Sequence, residues 1–305
     1  MWVWRDEKEI DLRDWDERIA ASKNPRLECF SWYLSASSRH WGAFFHEETN
    51  SRMPVCYRYF LGFIRKVYRP PFSQHMQIIG AHRLDDQQIS DLFHSIRSEF
   101  SCGTYCSNYH TDQALRRTNL LIDLREFRVH GMDAYTSHHK RRVRKSLAHG
   151  VEVDPQLSRD EFLLWVEQYQ KTYGKITGLN ERVLWDLTLQ LENRKSCYFV
   201  GARNEKAQII AVCLYSDDGR RVVNLMSLSN QEGKKKIAMY GIVHTMLQTI
   251  MQDREIFDFE GSELEGVQKF YQGFGPYTEP YFELSWNDHF LCKLIHRIRG
   301  KQNLL

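Results

Sequence analysis

The sequence predicts an α/β protein made of two copies of one fold, each with a mixed sheet flanked by helices. Helix-like and strand-like segments follow one another in nearly the same order in both halves of the 305 residues. Apolar residues make up 42% and charged residues 27% of the chain, which is typical of a globular protein with room for two cores. Neither half contains a Walker loop or a G-x-G-x-x-G motif. We therefore expect an α/β class that lacks both of these nucleotide-binding loops.

The first half reads as two helices, three strands, a helix and two more strands. Apolar residues recur at helical spacing after Asp85 and Asp86, either of which can cap a helix. The elements are expected at 6–20, 30–41, 42–46, 52–59, 67–79, 85–100, 103–109 and 117–124. The first domain is accordingly assigned to residues 1–130.

The second half repeats this order and adds a helix before its last strand. A capping box formed by Ser158 and Glu161, and a capping Asn180, predict where its first two helices begin. Strands are expected at 151–153, 197–203, 207–215, 220–228, 256–260 and 277–285, with helices at 235–252, after Ser262 and at 289–301. The second domain is assigned to residues 151–305, including the amphipathic tail helix.

A basic helix is expected to connect the two domains, within residues 131–150. The run Lys140 to Lys145 places five basic side chains in six residues. One interpretation is a solvated face whose stems pack on neighbouring surface. The other is an anion site for the phosphates of a nucleotide-linked substrate or of an RNA acceptor stem. The candidate acceptor or phosphate ligands are Lys140, Arg141, Arg144, Lys145 and, earlier in the chain, Gln74.

Two carboxylates stand out in the apolar segment Ile256-Phe257-Asp258-Phe259-Glu260. A carboxylate at the end of a buried strand is costly unless it is paired, hydrogen-bonded or facing a cleft. Open α/β sheets place their sites at such strand ends. Strand alternation predicts that Asp258 and Glu260 share one face, where each raises the pKa of the other. Both are candidate catalytic residues, and Glu260 is the first choice for a base.

Several functional classes are excluded by charge and residue spacing. A net charge of +3 gives no global field that would recruit nucleic acid, so no DNA partner is expected. The thirteen histidines and seven cysteines do not fall into metal-binding spacing, so no metal is expected.

Three features bear on where the protein works. The cysteines are odd in number and scattered, which suits a reducing cytoplasm. The start lacks an apolar signal core and no run of about 18 apolar residues occurs. The tail helix packs back on the body or docks on an anionic membrane surface. A cytoplasmic protein, with peripheral membrane contact as an alternative fate of the tail, is expected.

The order of elements resembles the fold of the GNAT acetyltransferases, and its duplication resembles the Fem-type (FemABX) aminoacyltransferases. The residues that carry the likeness are Ser31-Trp32-Tyr33, the basic helix with Gly150 to Val153, and Phe257 to Ser262 leading to Lys269 to Gly275. The resemblance covers nearly the whole chain. It implies an enzyme that transfers an acyl or aminoacyl group to an amine, with a peptidoglycan-precursor peptide as one class of acceptor.

The resemblance also implies roles for residues of the second half. The backbone of the strand end at Met226, Ser227, Leu228 and Ser229 would hold the donor carbonyl. Gly233, Lys234 and Lys235 stand where coenzyme A-binding relatives have a glycine-rich pyrophosphate loop, here with one glycine. Tyr271 stands where many acetyltransferases place an acid tyrosine and Fem-type chains more often have lysine.

Three functional hypotheses remain open at this point. The first is a Fem-type N-acyltransferase without a tightly bound cofactor, whose donor is an aminoacyl-tRNA. The second is an acyl-CoA-dependent acetyltransferase with a degenerate loop. The third is a duplicated GNAT scaffold that binds a glycan or peptide precursor without chemistry. The degenerate loop favours the first.

Overall fold

The structure is a computed structural model that describes residues 1–22, 24–80, 84–250, 253–261 and 264–293. It divides into two compact units. Unit 1 consists of residues 1–117 together with the described residues from 280 onward, and unit 2 consists of residues 118–279. These limits differ from the expected ones at 130 and 150, because local sequence patterns do not contain which strands pair.

Twelve strands and ten α-helices are formed by the described residues. In chain order the first half contains β1 Trp2–Asp6, α1 Leu12–Ala20, α2 Ser31–Ser37, β2 His40–His46, β3 Arg52–Phe60, β4 Ile64–Val67, α3 Asp86–Glu99, β5 Cys102–Ser107, β6 Leu115–Asp123 and α4 Leu124–His130. The second half contains α5 Ser137–Ala148, β7 Glu152–Asp154, α6 Arg159–Tyr173, α7 Glu181–Asn193, β8 Cys197–Arg203, β9 Ile209–Asp217, β10 Arg221–Ser229, α8 Gln231–Lys235, α9 Ala238–Thr245, β11 Ile256–Asp258, α10 Glu265–Gln272 and β12 Tyr277–Asn287.

The strands of unit 1 are ordered β1-β2-β3-β4-β5-β12. The first four form an antiparallel meander, in which Tyr57 of β3 pairs with Val67 of β4. Strands β4 and β5 are parallel, and their pairing stops after Val67 and Gly103. Strand β12 closes this half-sheet antiparallel to β5. The result is a mixed sheet, as the sequence predicts.

The strands of unit 2 repeat that arrangement in the order β7-β8-β9-β10-β11-β6. Four antiparallel strands are followed by the parallel pair β10 and β11, and β6 lies antiparallel to β11. The predicted duplication is therefore confirmed. In each unit, the last strand of the order comes from the other half of the chain. Strand β6 follows β5 in sequence but pairs with β11. Strand β12 follows β11 in sequence but pairs with β5.

The helices begin where side chains satisfy free backbone N–H groups. Asp85 accepts a hydrogen bond from the backbone of Gln88 at 2.7 Å, and Ser158 accepts from the backbone of Glu161 at 3.2 Å. Thr136 and Asn180 cap α5 and α7 in the same way. An N-cap of this kind stabilises a helix by about 1 kcal/mol. The caps predicted for α6 and α7 are confirmed, and of the two candidates for α3 the structure shows Asp85.

Each unit has an apolar core of its own. Trp15 and Trp41 are in ring contact in unit 1 and are at most 1% exposed, and the indole of Trp15 donates to the carbonyl of Cys29 at 2.9 Å. In unit 2, Phe257 and Phe259 are at most 2% exposed and touch edge to face. Burial of such side chains stabilises the fold by about 1.5–3 kcal/mol each. The core of unit 2 thus reaches to the end of β11.

Three expected elements differ from the structure. The first helix begins at Leu12 rather than residue 6, because residues 2–6 form β1, which the sequence analysis did not predict. Strand β4 ends at Val67, and residues 69–79 contribute only isolated bridges where a strand was expected. The helix expected at 235–252 is divided by Ile237, which has a left-handed φ of 51°.

The predicted tail helix at 289–301 falls mostly outside the described residues. Of that segment the structure describes residues 289–293, and residues 290–293 are helical. Among the helices that the structure describes, none has both the length and the apolar character needed to cross a membrane.

Candidate functional site

A cavity of about 480 Å³ opens in unit 2 where β10 and β11 part. The parallel pairing of the two strands stops at Val223 and Asp258. Immediately after this point the register between β10 and β9 shifts at Leu225, which is the mark of a β-bulge. Residues 226–229 remain paired with β9 along one edge, so their other edge faces the space that β11 has left. Bulges that re-aim a strand in this way are frequent beside active sites.

The walls of the cavity come from α6, β10, α8, α9, the end of β11 and α10. They are formed by Tyr169, Asn224, Leu225, Met226, Ser227, Leu228, Ser229, Lys234, Met239, Phe259, Glu260, Gly261, Val267, Phe270 and Tyr271. Seven of the predicted site residues are therefore brought together: Glu260, Tyr271, Lys234 and the four residues of the strand end. A mostly apolar pocket with a few convergent polar groups is the usual form of a small-molecule site.

Glu260 leaves the strand with a left-handed backbone. Its φ is 56°, a conformation that is uncommon for any residue other than glycine, asparagine or aspartate. The backbone N–H of Glu260 donates to Oδ1 of Asp258 at 2.7 Å, which holds this turn in place. Strained backbone of this kind tends to occur at functional sites. The turn brings a half-buried Glu260 to the cavity wall.

Asp258 occupies a different place from the one expected. Its side chain is completely buried and forms an ion pair with Arg221 at 3.1 Å. It is absent from the cavity wall, because the left-handed turn ends the strand alternation before Glu260. The structure thus gives Asp258 contacts that position Glu260, and it does not place the two carboxylates side by side on one strand face.

Tyr271 faces the cavity from α10, and its ring stacks on Phe259 with 4.5 Å between centroids. Its hydroxyl accepts a hydrogen bond from Nδ2 of Asn224 at 3.1 Å. Burial, with smaller contributions from Cys213 and Glu260, raises the pKa of the Tyr271 phenol. The phenol therefore keeps its proton at neutral pH.

Asn224 is a site residue that the sequence analysis missed. Its side chain donates to Tyr271 and accepts from the hydroxyl of Ser227 at 2.9 Å. The three polar side chains form one chain of hydrogen bonds along the cavity wall. The available signal was an amide inside the apolar strand Val222-Val223-Asn224-Leu225, since a buried amide needs partners.

The segment expected to hold phosphates is closed into the short helix α8. The backbone N–H of Gly233 bonds to the side chain of Asn230 at 2.8 Å, and that of Lys234 bonds to the Asn230 carbonyl at 2.9 Å. A Cβ on Gly233 would collide with the carbonyl of Ile210, so this glycine serves close packing of α8 on β9. Lys234 lines the cavity, whereas Lys235 is exposed outside it.

The basic helix α5 packs inside unit 2 instead of forming a connection between domains. Val143 on its inner face is fully buried, and Lys140 pairs with Asp133 at 2.7 Å. Arg141, Arg144 and Lys145 are exposed. None of the four predicted basic ligands lines the cavity. Gln74 is also apart from it, since it belongs to unit 1 and is 3% exposed there.

The corresponding place in unit 1 is filled by the chain itself. Beyond the parallel pair β4 and β5, the backbone N–H of Met76 bonds to the carbonyl of Cys106 at 2.9 Å. Ser73 and His75 lie in the same segment, and the cavity that remains there is about 10 Å³. A substrate group does not fit in that volume. The open copy of the duplicated cavity is the one in unit 2.

His139 ties α5 to α10 behind the cavity. Its Nε2 donates to the carbonyl of Phe270 at 2.8 Å, and its ring lies where a Cβ on Gly273 would stand. Burial is the main cause that lowers the pKa of His139 below its usual value of 6.5. The same cause lowers the pKa of His244, which contacts the hydroxyl of Tyr135 at 3.2 Å.

The two buried histidines should make unit 2 sensitive to mild acid. Their folded-state pKa values lie below the unfolded value, so the unfolded chain binds more protons as the pH falls through 6.5. The two histidines should therefore leave the free energy of unfolding unchanged above pH 6.5 and lower it as the pH falls below that value. Urea unfolding at a series of pH values measures this slope.

His138 offers the matched control for that measurement, because it is the exposed neighbour of His139. His139→Gln should make the pH dependence shallower and leave the contribution of His244. His138→Gln should leave the pH dependence as in the parent. An unchanged slope in His139→Gln would contradict the assignment to the buried imidazole.

Among the described residues, no group of three or more histidine, cysteine, aspartate or glutamate side chains could hold a metal ion. Ser262, part of the motif after Glu260, lies outside the described residues.

No family model matches the sequence, and no curated protein matches it. Among solved structures, FemX superposes with a TM-score of 0.65 at 10% identity, over 91% of this chain and 96% of FemX. The C-terminal domain of a putative lysylphosphatidylglycerol synthetase from Agrobacterium fabrum gives 0.58 at 10% identity, over 94% and 96%.

A third similar structure bears on the duplication. A tandem GNAT protein from the clavulanic acid biosynthesis pathway gives a TM-score of 0.54 at 8% identity, over 93% of this chain and 98% of that protein. All three matches span nearly the full length of both chains, so the likeness includes both units. The protein therefore has the FemABX-like tandem GNAT fold that its sequence predicts.

Proposed function

We propose that the protein is an acyltransferase that moves an acyl or aminoacyl group onto an amine in the cavity of unit 2. The observation that carries this proposal is the convergence of Glu260, Tyr271 and the open edge of β10 on one cavity at the strand opening. Amine acylation needs a base, a polarised donor carbonyl and a protonated leaving group. The cavity offers one candidate for each.

The roles follow from the chemistry of the groups. Glu260 takes the proton from the attacking amine, directly or through a water molecule. In the segment Met226 to Ser229, which is paired with β9 along one edge, the backbone N–H of every second residue faces the open edge. Such an N–H donates to the donor carbonyl oxygen and stabilises the negative charge that develops on it. As the new carbon–nitrogen bond forms, the bond from the carbonyl carbon to its carrier breaks, and Tyr271 gives its proton to the departing oxygen.

The donor is proposed to be an ester carried by RNA, an aminoacyl-tRNA, in preference to a coenzyme A thioester. Coenzyme A needs free N–H groups for its pyrophosphate. In α8 the N–H groups of Gly233 and Lys234 are already bonded to Asn230. Lys234 in the cavity wall supplies a point charge for one phosphate, and the exposed Arg141 and Arg144 of α5 supply a surface for others.

The acceptor is proposed to be the amine of a cell-wall precursor. This follows the sequence resemblance to Fem-type enzymes and the structural likeness to FemX. The likeness to a putative lysylphosphatidylglycerol synthetase makes a lipid headgroup the competing acceptor class. Both classes present a small polar group on a larger anionic carrier.

Binding and transfer measurements with two labelled donors test the proposal. Aminoacyl-tRNA should bind, with an affinity that falls as salt rises, and should lose its aminoacyl group to an amine acceptor. Acetyl-CoA should give no calorimetric signal. Tight binding of acetyl-CoA together with acetyl transfer would instead establish a coenzyme A-dependent enzyme, and binding without turnover of any donor would establish a non-catalytic scaffold.

The contribution of α5 to tRNA binding can be measured by replacing its exposed arginines and comparing the result with a matched control in unit 2. Arg141→Gln with Arg144→Gln should weaken tRNA binding and lower its salt dependence by about one unit of slope per lost phosphate contact. Lys175→Gln with Lys206→Gln removes two other exposed cations and should change neither.

A further inference from the structure

Unit 1 exposes an unusual apolar group at the hairpin between β3 and β4. Phe60 pairs with Ile64 across the turn, so residues 61–63 form its tip. Tyr59, Leu61 and Phe63 are 49%, 52% and 63% exposed. Single exposed apolar side chains are common, but three within five residues, two of them at the tip, call for an explanation.

The turn itself does not require these side chains. Leu61 has a left-handed φ of 54° and is followed by Gly62 with a φ of 81°. Hairpin tips with this backbone favour asparagine, aspartate and glycine. A leucine at such a position costs conformational energy and remains 52% exposed, so burial offsets only part of that cost.

Apolar side chains from the last described residues pack beside the hairpin. Leu291 and Cys292 pack with Phe60 and Ile64 in one small cluster. This contact brings residues 290–293 alongside the hairpin, and Phe290 is 72% exposed there. We call Tyr59, Leu61, Phe63 and Phe290 the hairpin patch.

The two arms of the hairpin are basic, and Asp288, two residues before Phe290, is paired with Arg97 at 3.0 Å. The sequence holds no aspartate or glutamate from Thr49 to Leu84. Arg58 and Lys66 lie on the two arms of the hairpin, with their charges over the rings of Tyr68 and Phe60. Arg65 is different, because its charge is compensated by an ion pair with Glu99.

We propose that the hairpin patch is a docking surface for an anionic lipid bilayer. Leu61 and Phe63 enter the boundary between headgroups and acyl chains, the aromatic rings of Tyr59 and Phe290 lie at headgroup level, and Arg58 and Lys66 meet lipid phosphates. The contact is reversible, because neither a few apolar side chains nor two cations anchor a protein permanently.

The form of the patch favours a bilayer over a protein partner or a second copy of the chain. Stable protein interfaces bury about 800 Å² on each partner and need a complementary surface. A hairpin tip with a few apolar side chains offers little area of that kind. A bilayer requires no matching shape, and its anionic headgroups complement the basic arms.

Vesicle sedimentation tests the proposal with the full chain. The parent protein should pellet with vesicles of phosphatidylglycerol and phosphatidylcholine, and much less with phosphatidylcholine alone or in high salt. Leu61→Asn with Phe63→Ser should lower the partition coefficient at least about tenfold. Asparagine suits the left-handed backbone, so this variant should fold as well as the parent, which its thermal unfolding checks.

The control is Leu115→Ser, which changes a leucine of the same unit with 54% exposure, close to that of Leu61. It should bind vesicles as the parent does. Arg58→Gln with Lys66→Gln should weaken binding to anionic vesicles and leave the weak binding to neutral vesicles unchanged. Parent protein that ignores anionic vesicles, or a tip variant that binds them normally, would overturn the proposal.

Light scattering tests the alternative that a second copy of the chain covers the hairpin patch. A parent dimer that the tip variant converts to a monomer, without vesicle binding, would assign the patch to a second copy and also overturn the proposal. The proposed acyl transfer is tested separately, because transfer between soluble substrates in unit 2 should be the same in the parent and in the tip variant.

Discussion

Replacing Glu260 by glutamine should lower kcat for acyl transfer by about 10²–10⁴-fold, with little change in stability. Glutamine keeps the size and hydrogen-bonding reach of glutamate but cannot accept the amine proton, and a positioned base contributes about this factor. The backbone N–H that bonds to Asp258 at 2.7 Å is untouched by the change. Steady-state kinetics with the preferred donor, together with urea unfolding, measure both effects.

Two further variants separate chemistry from structure at this position. Glu260→Gly should be as inactive as Glu260→Gln but more stable by about 1 kcal/mol, because glycine adopts the φ of 56° without strain. Glu265→Gln alters an exposed glutamate on α10 outside the cavity and should retain full activity. Full activity in Glu260→Gln would show that another group removes the amine proton.

Asp258→Ala should destabilise the protein by about 3–5 kcal/mol. The change leaves Arg221, whose side chain is only 15% exposed, without its carboxylate partner at 3.1 Å. The backbone N–H of Glu260 loses its acceptor at the same time. Guanidinium unfolding, monitored by circular dichroism, gives the difference in free energy. A cost this large is expected only for a buried pair.

An exposed ion pair provides the comparison. Glu265→Ala removes the partner of Lys269, and with side chains 78% and 70% exposed this pair should be worth less than about 1 kcal/mol. Replacing both buried partners, as in Asp258→Ala with Arg221→Met, should recover much of the loss, because no uncompensated charge remains. If Asp258→Ala costs no more than Glu265→Ala, Asp258 does not brace the turn.

Local patterns predicted most helices and strands of this protein correctly. The capping residues Asp85, Ser158 and Asn180 marked the starts of α3, α6 and α7, since an N-cap is a contact within four residues of sequence. The end of β11 could also be identified as a candidate site, because buried carboxylates near a strand end stand out in an apolar run.

Other features depend on contacts that local patterns do not contain. Strand β1 pairs with β2 although the helices α1 and α2 lie between them in the sequence. Val3, for example, pairs with Phe45. The left-handed turn at Glu260 is set by its hydrogen bond to Asp258 and not by the identity of the residue. For this reason the sequence analysis placed the two carboxylates on one face and did not foresee the amide of Asn224 beside Tyr271.

The pairing of β12 with β5 has a consequence for synthesis of the protein on the ribosome. Unit 2 is a continuous stretch of chain and can collapse as soon as it emerges, whereas β5 waits for β12 until all of unit 2 has been translated. During that interval the nascent chain presents an unpaired strand edge, the kind of surface that chaperones protect and that promotes mispairing between neighbouring chains. Slow translation would lengthen this vulnerable interval for unit 1 and leave unit 2 unaffected.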